Sequence, residues 1–210
     1  MEILNQISAL LQRGKAKDVK TLVSQAIEEG IPAATILNEG LLSGMNVVGQ
    51  RFKNNEIFVP EVLIAARAMN MGAALLKPLL ADEGVKAAGK VCIGTVKGDL
   101  HDIGKNLVIM MIESTGYEVV DLGIDVPVDT FLEAANDPEV TVIGVSALLT
   151  TTMGAMQETV AALNKHPRRA EFKIMVGGAP ITEAFAKEIG ADVYTEDAAS
   201  AGQAAKALAQ

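Results

Sequence analysis

Residues 97–106 read KGDLHDIGKN, and this stretch holds one of only two histidines in the chain. Asp99 stands two positions before His101, and Gly104 stands three after it. A carboxylate at that spacing can accept one imidazole N–H and leave the other nitrogen free as a base or a metal ligand. Zinc is a poor fit, because one usable histidine, Cys92 inside an apolar run and no second cluster fall short of three or four ligands. Cys92 reads as a small buried hydrophobe, and His166, in the charged segment NKHPRR, reads as a surface residue. The segment GVSAL (144–148) begins like a nucleophile elbow but ends in Leu148, where the tight strand-to-helix turn needs glycine. No G-x-G-x-x-G follows the first strand of the second half, so the dinucleotide fingerprint fails.

The elements that must position these residues change character along the chain. Up to about residue 81 the apolar residues recur with helical period. Ile3, Leu4, Ile7, Leu10 and Leu11 share one face, and Val19, Leu22, Val23, Ala26 and Ile27 share another. Pro32 starts a third helix that carries Leu37, Leu41, Met45, Val48 and Phe52, and Pro60 sits in the first turn of a fourth. The pattern predicts a four-helix bundle over 1–81. A small, charged, glycine-bearing linker follows at 82–89, within ADEGVKAAG.

From residue 90 to 210, short β-branched runs (KVCIGT, YEVVDL, VTVIGVS, FKIMVGG, ADVYT) alternate with helical stretches. Such alternation predicts a flavodoxin- or Rossmann-like parallel sheet with helices on both faces, and therefore an α + α/β chain. Ligands of these sheets bind outside the carboxyl ends of the strands. There the first strand is followed by Asp99, His101 and Asp102. The third ends at Ser146, followed by Leu148, Thr150 and Thr152, and the fourth ends in Gly177-Gly178. Glycine and hydroxyl-bearing ends describe a narrow polar slot in which a ligand can lie against backbone.

Composition limits the ligand. Net charge is −8 with no basic cluster, which argues against nucleic acid. Aromatic residues are only 3%, so a sandwich for a flavin ring is poorly supplied, although a flavodoxin-like FMN protein stays open by architecture. The longest apolar runs fall short of a membrane span, the N-terminus lacks a signal layout, and the single cysteine suits a cytoplasmic protein.

Asp99-x-His101-x-x-Gly104, 41 intervening residues, Ser146-x-Leu148, 28 more and Gly177-Gly178 resemble the signature of cobalamin-binding proteins. The segment GMNVVGQRFKNNEIFVPEVLIAARAMNMG is similar to the helical cap of corrinoid methyl carriers, including the module of methionine synthase. In length and layout the whole chain is similar to the small corrinoid proteins of anaerobic methyltransferase systems.

That resemblance implies a cobalamin or related corrinoid bound base-off, with His101 as lower ligand to cobalt and the nucleotide tail running past Ser146, Leu148 and Gly177-Gly178. It implies further contacts from Leu100, Asp102, Ile103, Gly104 and Thr150, and from Ala179 and Tyr194. Asp99 and the hydroxyl of Thr152, a serine in methionine synthase, would complete a proton relay. Phe52 and Val59 would cover the upper face, on a cap that swings about the linker.

The implied function is one-carbon metabolism by shuttling a methyl group between cob(I)alamin and methylcob(III)alamin forms. The partners would be a substrate:corrinoid methyltransferase, a methylcorrinoid:tetrahydrofolate or coenzyme M methyltransferase, and a reductive activase. No partner membrane or nucleic acid is expected, and the chain reads as a carrier subunit more than a complete enzyme. A B12-dependent sensor and the B12 subunit of an adenosylcobalamin mutase are the rival readings.

Overall fold

The structure is a computed structural model that describes residues 2–82 and 89–208, with side chains for 2–80 and 89–208. The chain divides into two compact units, Met1–Lys86 and Ala87–Gln210. Of the linker predicted at 82–89, residues 83–88 lie outside the described residues, as does the swing assigned to them.

The first unit comprises α1 (Glu2–Gln12), α2 (Ala16–Glu28), α3 (Ala33–Thr35), a π-helical stretch (Ile36–Leu42), α4 (Ser43–Lys53) and α5 (Val59–Asp82). The apolar faces read from the sequence supply its core, with Leu4, Ile7, Leu11, Val19, Val23, Leu41, Met45 and Val48 all buried. The predicted third helix is continuous from 33 to 53 but widens into the π-helical stretch in its middle. Propensity carries no signal for that widening, which occurs where the helix passes α1. A Cβ on Gly40 would lie 3.2 Å from Ile7 Cγ2, and one on Gly44 would lie 3.1 Å from the Ser8 carbonyl.

Phe52 on α4 and Val59 at the start of α5 are both half-buried. The segment Val59–Leu80 is, by length and composition alone, apolar enough to cross a membrane, which the count of uninterrupted apolar residues had not indicated. Its Val62, Ala65, Ala68, Met69 and Leu76 are buried in the bundle, whereas Leu63 and Ile64 are exposed.

The second unit runs β1 (Lys90–Val96), α6 (Ile103–Glu113), β2 (Glu118–Val126), α7 (Val128–Ala134), β3 (Val140–Ser146), a 3-10 turn (Thr150–Thr152), α8 (Met153–Leu163), β4 (Lys173–Gly177), α9 (Glu183–Ile189), β5 (Val193–Thr195) and α10 (Ala198–Leu208). The five strands form one parallel sheet in the order β2-β1-β3-β4-β5. Alternate residues feed two cores. Cys92, Ile143, Val145, Ile174 and Val176 pack with residues of α7, α8 and α9, while Val91, Val142 and Met175 pack with Ile112 of α6 and Ala201 and Ala205 of α10.

The strand order reverses direction between β1 and β3. Both neighbours of this switch point carry their following helices to opposite sides of the sheet, which opens a crevice at their carboxyl ends. The loops that fill this edge are 97–102 and 147–152.

Candidate functional site

The site is built around a fully buried carboxylate. Asp99 has no solvent exposure, and four donors converge on its two oxygens. Oδ1 accepts from the His101 backbone N–H at 3.1 Å and meets His101 Nδ1 at 2.7 Å. Oδ2 accepts from the Leu148 N–H at 2.7 Å and the Thr152 hydroxyl at 2.8 Å. Burial pushes the carboxyl pKa up, but the Leu148 N–H, the His101 ring, the Thr152 hydroxyl and the His101 N–H outweigh it and hold the group well below the usual carboxylate range. Asp99 is therefore an anion that stitches the loop after β1 to the loop after β3.

An ionised Asp99 determines the histidine tautomer. The Nδ1 proton is donated to the carboxylate, which leaves Nε2 as the basic nitrogen of a side chain that is 48% exposed. Thr152 is buried, and its hydroxyl also lies 2.9 Å from the Leu149 carbonyl, so one proton has two acceptors within reach. When Asp99 is ionised the hydroxyl donates to it. A proton placed on Oδ2 would instead be donated to Thr152, whose own hydrogen then turns to Leu149, and no buried group is left unpaired.

The two loops and the start of α6 present large apolar side chains to solvent: Leu100 and, at the first position of α6, Ile103 on one side, Leu148 and Leu149 on the other. Asp102 precedes α6, accepting at its carbonyl from the Asn106 N–H at 2.7 Å, and Thr150 is exposed at the start of the 3-10 turn. Gly104 is exposed in the first turn of α6, and a Cβ there would meet nothing within 4 Å.

Registration across the sheet places Thr95, Ser146, Gly177 and Thr195 side by side as one row at the carboxyl edge, on the side of α6 and α10. Gly178 follows at φ +131, where a Cβ would stand 1.9 Å from the Ala147 carbonyl oxygen. Only glycine fits that position, and Ala179 beyond it is exposed.

Of the sequence-predicted residues, those of the second unit other than Tyr194 lie on the loops, strand ends and α6 start of this carboxyl edge, with two corrections and several additions. Tyr194 pairs with Val176, one row back, and packs into the core beneath α8 and α9, on the opposite side of the sheet from the Thr95–Thr195 row. Strand parity, not proximity in sequence, decides its direction. His166 is half-buried rather than on the surface. Its ring packs on Phe172 with centroids 5.9 Å apart, and Nδ1 accepts from the Arg168 N–H. Cys92 is buried, and burial raises its thiol to about 11, so it is inert.

Sequence reasoning missed Thr95, whose hydroxyl donates to the His101 carbonyl at 2.9 Å. It also missed Asp125, which accepts from the Gly98 N–H at 2.8 Å, and the buried Lys105 ammonium paired with Asp121 at 2.5 Å. The only available signal was polarity inside an apolar strand for Thr95. Among the described residues no group of three or more His, Cys, Asp or Glu side chains could hold a metal ion without help from another ligand. Phe52 and Val59 belong to the first unit.

Residues 89–205 match the B12 binding domain family, and residues 3–77 match a second B12 binding domain family. The chain is 41% identical to dimethylamine corrinoid protein 3 of Methanosarcina acetivorans, over 98% of this chain and 96% of that one. It is 40% identical to trimethylamine corrinoid protein 1 of Methanosarcina mazei, over 88% and 90% respectively. Among solved structures it is similar to one in the methanol:cobalamin methyltransferase complex MtaBC from Methanosarcina barkeri, with TM-score 0.87 and 32% identity over 99% of this chain and 80% of that chain. A cobalamin-binding protein from Desulfitobacterium hafniense matches with TM-score 0.81 and 30% identity over 98% of both chains.

Proposed function

The chain belongs to the B12-binding corrinoid proteins, and we propose that it is a methyl carrier that holds a corrinoid base-off through His101. The observation that carries this reading is the half-exposed imidazole whose Nδ1 is engaged by a fully buried aspartate at the switch point of the sheet. A corrinoid fits the residues present. A free imidazole nitrogen would offer a metal ligand, four exposed aliphatic side chains would suit an apolar macrocycle, and the Thr95–Ser146–Gly177–Thr195 row with Gly178 would suit a thin polar tail. Bound there, the cofactor supplies a cobalt centre that takes up a methyl group and gives it away.

The chain's own residues then do three things. His101 offers Nε2 to the metal. Asp99 keeps Nδ1 protonated and orients the ring. Thr152 and the Leu149 carbonyl let a proton reside on Asp99 without breaking the network, so the pair could take up or release a proton when His101 is engaged.

The partners we propose are a donor-side methyltransferase and a second one that passes the methyl group to tetrahydrofolate or coenzyme M, with a reductive activase to restore the carrier. Relatives matched along nearly their whole length are dimethylamine and trimethylamine corrinoid proteins, which supports a methylated amine as the donor. Shielding of the cofactor by Phe52 and Val59 is part of the same reading, and faster photolysis in Phe52→Ala checks it.

The decisive test is spectroscopic. Protein reconstituted with methylcobalamin should show imidazole coordination with the benzimidazole displaced, and His101→Ala should lose that nitrogen signature. An unchanged signature in the variant would remove His101 from the metal and the reading with it.

A further inference from the structure

We infer that Asp125 and Thr95 are positioning residues, which clamp the His101-bearing loop in its ligating shape before any corrinoid binds. This deepens the carrier reading and rests on it.

The origin of the clamp is an irregularity in β2. From Gly94 to Val96 the register advances two residues on β1 but three on β2, from Gly123 to Val126. The surplus residue must bulge out of the ladder. Asp125 absorbs it with φ 53, in the left-handed region that non-glycine residues seldom enter. Strain of this kind persists only where surroundings over-determine it.

Here the surroundings are the loop itself. Asp125 Oδ1 accepts from the Gly98 N–H at 2.8 Å, and its own N–H donates to the Asp99 carbonyl at 2.9 Å. At the far end of the loop the fully buried Thr95 donates to the His101 carbonyl at 2.9 Å. Three successive backbone anchors, at 98, 99 and 101, thus come from the two neighbouring strands β1 and β2. None of them uses the Asp99 carboxylate, the histidine ring or the loop after β3.

Asp125 Oδ2 also pairs with Lys97 at 3.0 Å, but both side chains are largely open to water, so that ion pair contributes little. What matters is the Oδ1 acceptor for Gly98, not the Lys97 ion pair. Loss of an anchor should let the loop sample other shapes, and the imidazole then binds metal only from the competent fraction.

The test uses the full chain and four variants. Asp125→Gly removes the acceptor while relieving the backbone strain, and Thr95→Val removes the hydroxyl at nearly constant volume. Asp125→Asn keeps an acceptor and tolerates positive φ, and Thr95→Ser keeps the hydroxyl. In cofactor-free protein, amide exchange at Gly98 and His101 should rise about tenfold in the first two and stay near wild type in the second two.

After loading with cob(II)alamin, the fraction showing nitrogen superhyperfine coupling in the electron paramagnetic resonance spectrum should fall in the same two variants. Wild-type exchange and a wild-type coordinated fraction in both Asp125→Gly and Thr95→Val would overturn the inference, even if their melting temperatures dropped. Failure of Asp125→Asn to rescue would overturn the acceptor argument. The exchange measurement needs no cofactor. It therefore decides the clamp separately from wild-type coordination, whose absence would instead sink the carrier reading.

Discussion

Four donors on two carboxylate oxygens make Asp99 the most constrained side chain of the site, and that constraint has a pH signature. Its carboxyl is held below the ordinary value in the folded chain. The stability it contributes is therefore whole above about pH 4 and is lost as pH falls towards the lower folded value. Asp99→Asn should cost about 2 kcal/mol or more at neutral pH, because an amide cannot accept from four donors. The gap between variant and wild type should then narrow as pH is lowered from about 4, measured by urea unfolding across pH 2–7. A gap independent of pH would mean that Asp99 is not the anion the geometry describes. Asp99 and His101 were legible in the sequence because the pair is local, two residues apart, and rare residue types carry it. Thr95 and Asp125 were not, because their partners lie across the loop and across a strand register that includes a bulge. No spacing rule reveals an acceptor whose usefulness depends on an unusual φ.

Helix α6 and the turn after strand β4 each contribute a glycine, for opposite reasons, and substitution separates them. Gly104 has helical backbone, is exposed and has open space where a Cβ would go. Alanine there would favour the helix by about 1 kcal/mol, so neither packing nor backbone conformation calls for glycine. A cofactor lying against that turn, as proposed above, would account for a glycine there. Gly104→Ala should leave the melting temperature of cofactor-free protein unchanged or slightly raised while weakening corrinoid binding about tenfold.

Gly178 is the reverse case, since a Cβ would collide with the Ala147 carbonyl. Gly178→Ala should destabilise the cofactor-free protein by about 2 kcal/mol or more. Equal thermal losses in both variants, followed by calorimetry with and without cobalamin, would remove the distinction. At this scale the order of helices and strands was readable, because each apolar run had the length and flanks of its element. Facing was not. In parallel strands buried on both sides the apolar pattern is nearly continuous, so Tyr194 could not be assigned a side until the register was known. The π-helical stretch at Ile36–Leu42, where Gly40 lies against Ile7 of α1, was equally silent in the apolar pattern.

On the proposed reading, one imidazole at one switch point gives one loaded cofactor per chain, and hence one reactive position that the two proposed methyltransferases would share. The acidic balance of the chain, −8 over 210 residues, favours partners with complementary basic docking surfaces and speeds encounter without deciding which partner arrives. A methyl group held at a single metal can be approached by only one active site at a time, so donor-side and acceptor-side methyltransferases should exclude each other. An acceptor-side enzyme inactivated at its own catalytic residue, but still able to dock, should inhibit methylation of the carrier competitively with respect to the donor-side enzyme. Saturating donor-side enzyme would restore the full rate, and raising salt should weaken the inhibition as both association rates fall. The measurement is the initial rate of carrier methylation, followed by the cobalamin spectrum, across a grid of the two protein concentrations. A lowered maximal rate that excess donor-side enzyme cannot recover would show both partners bound at once. That outcome would contradict a single shared site.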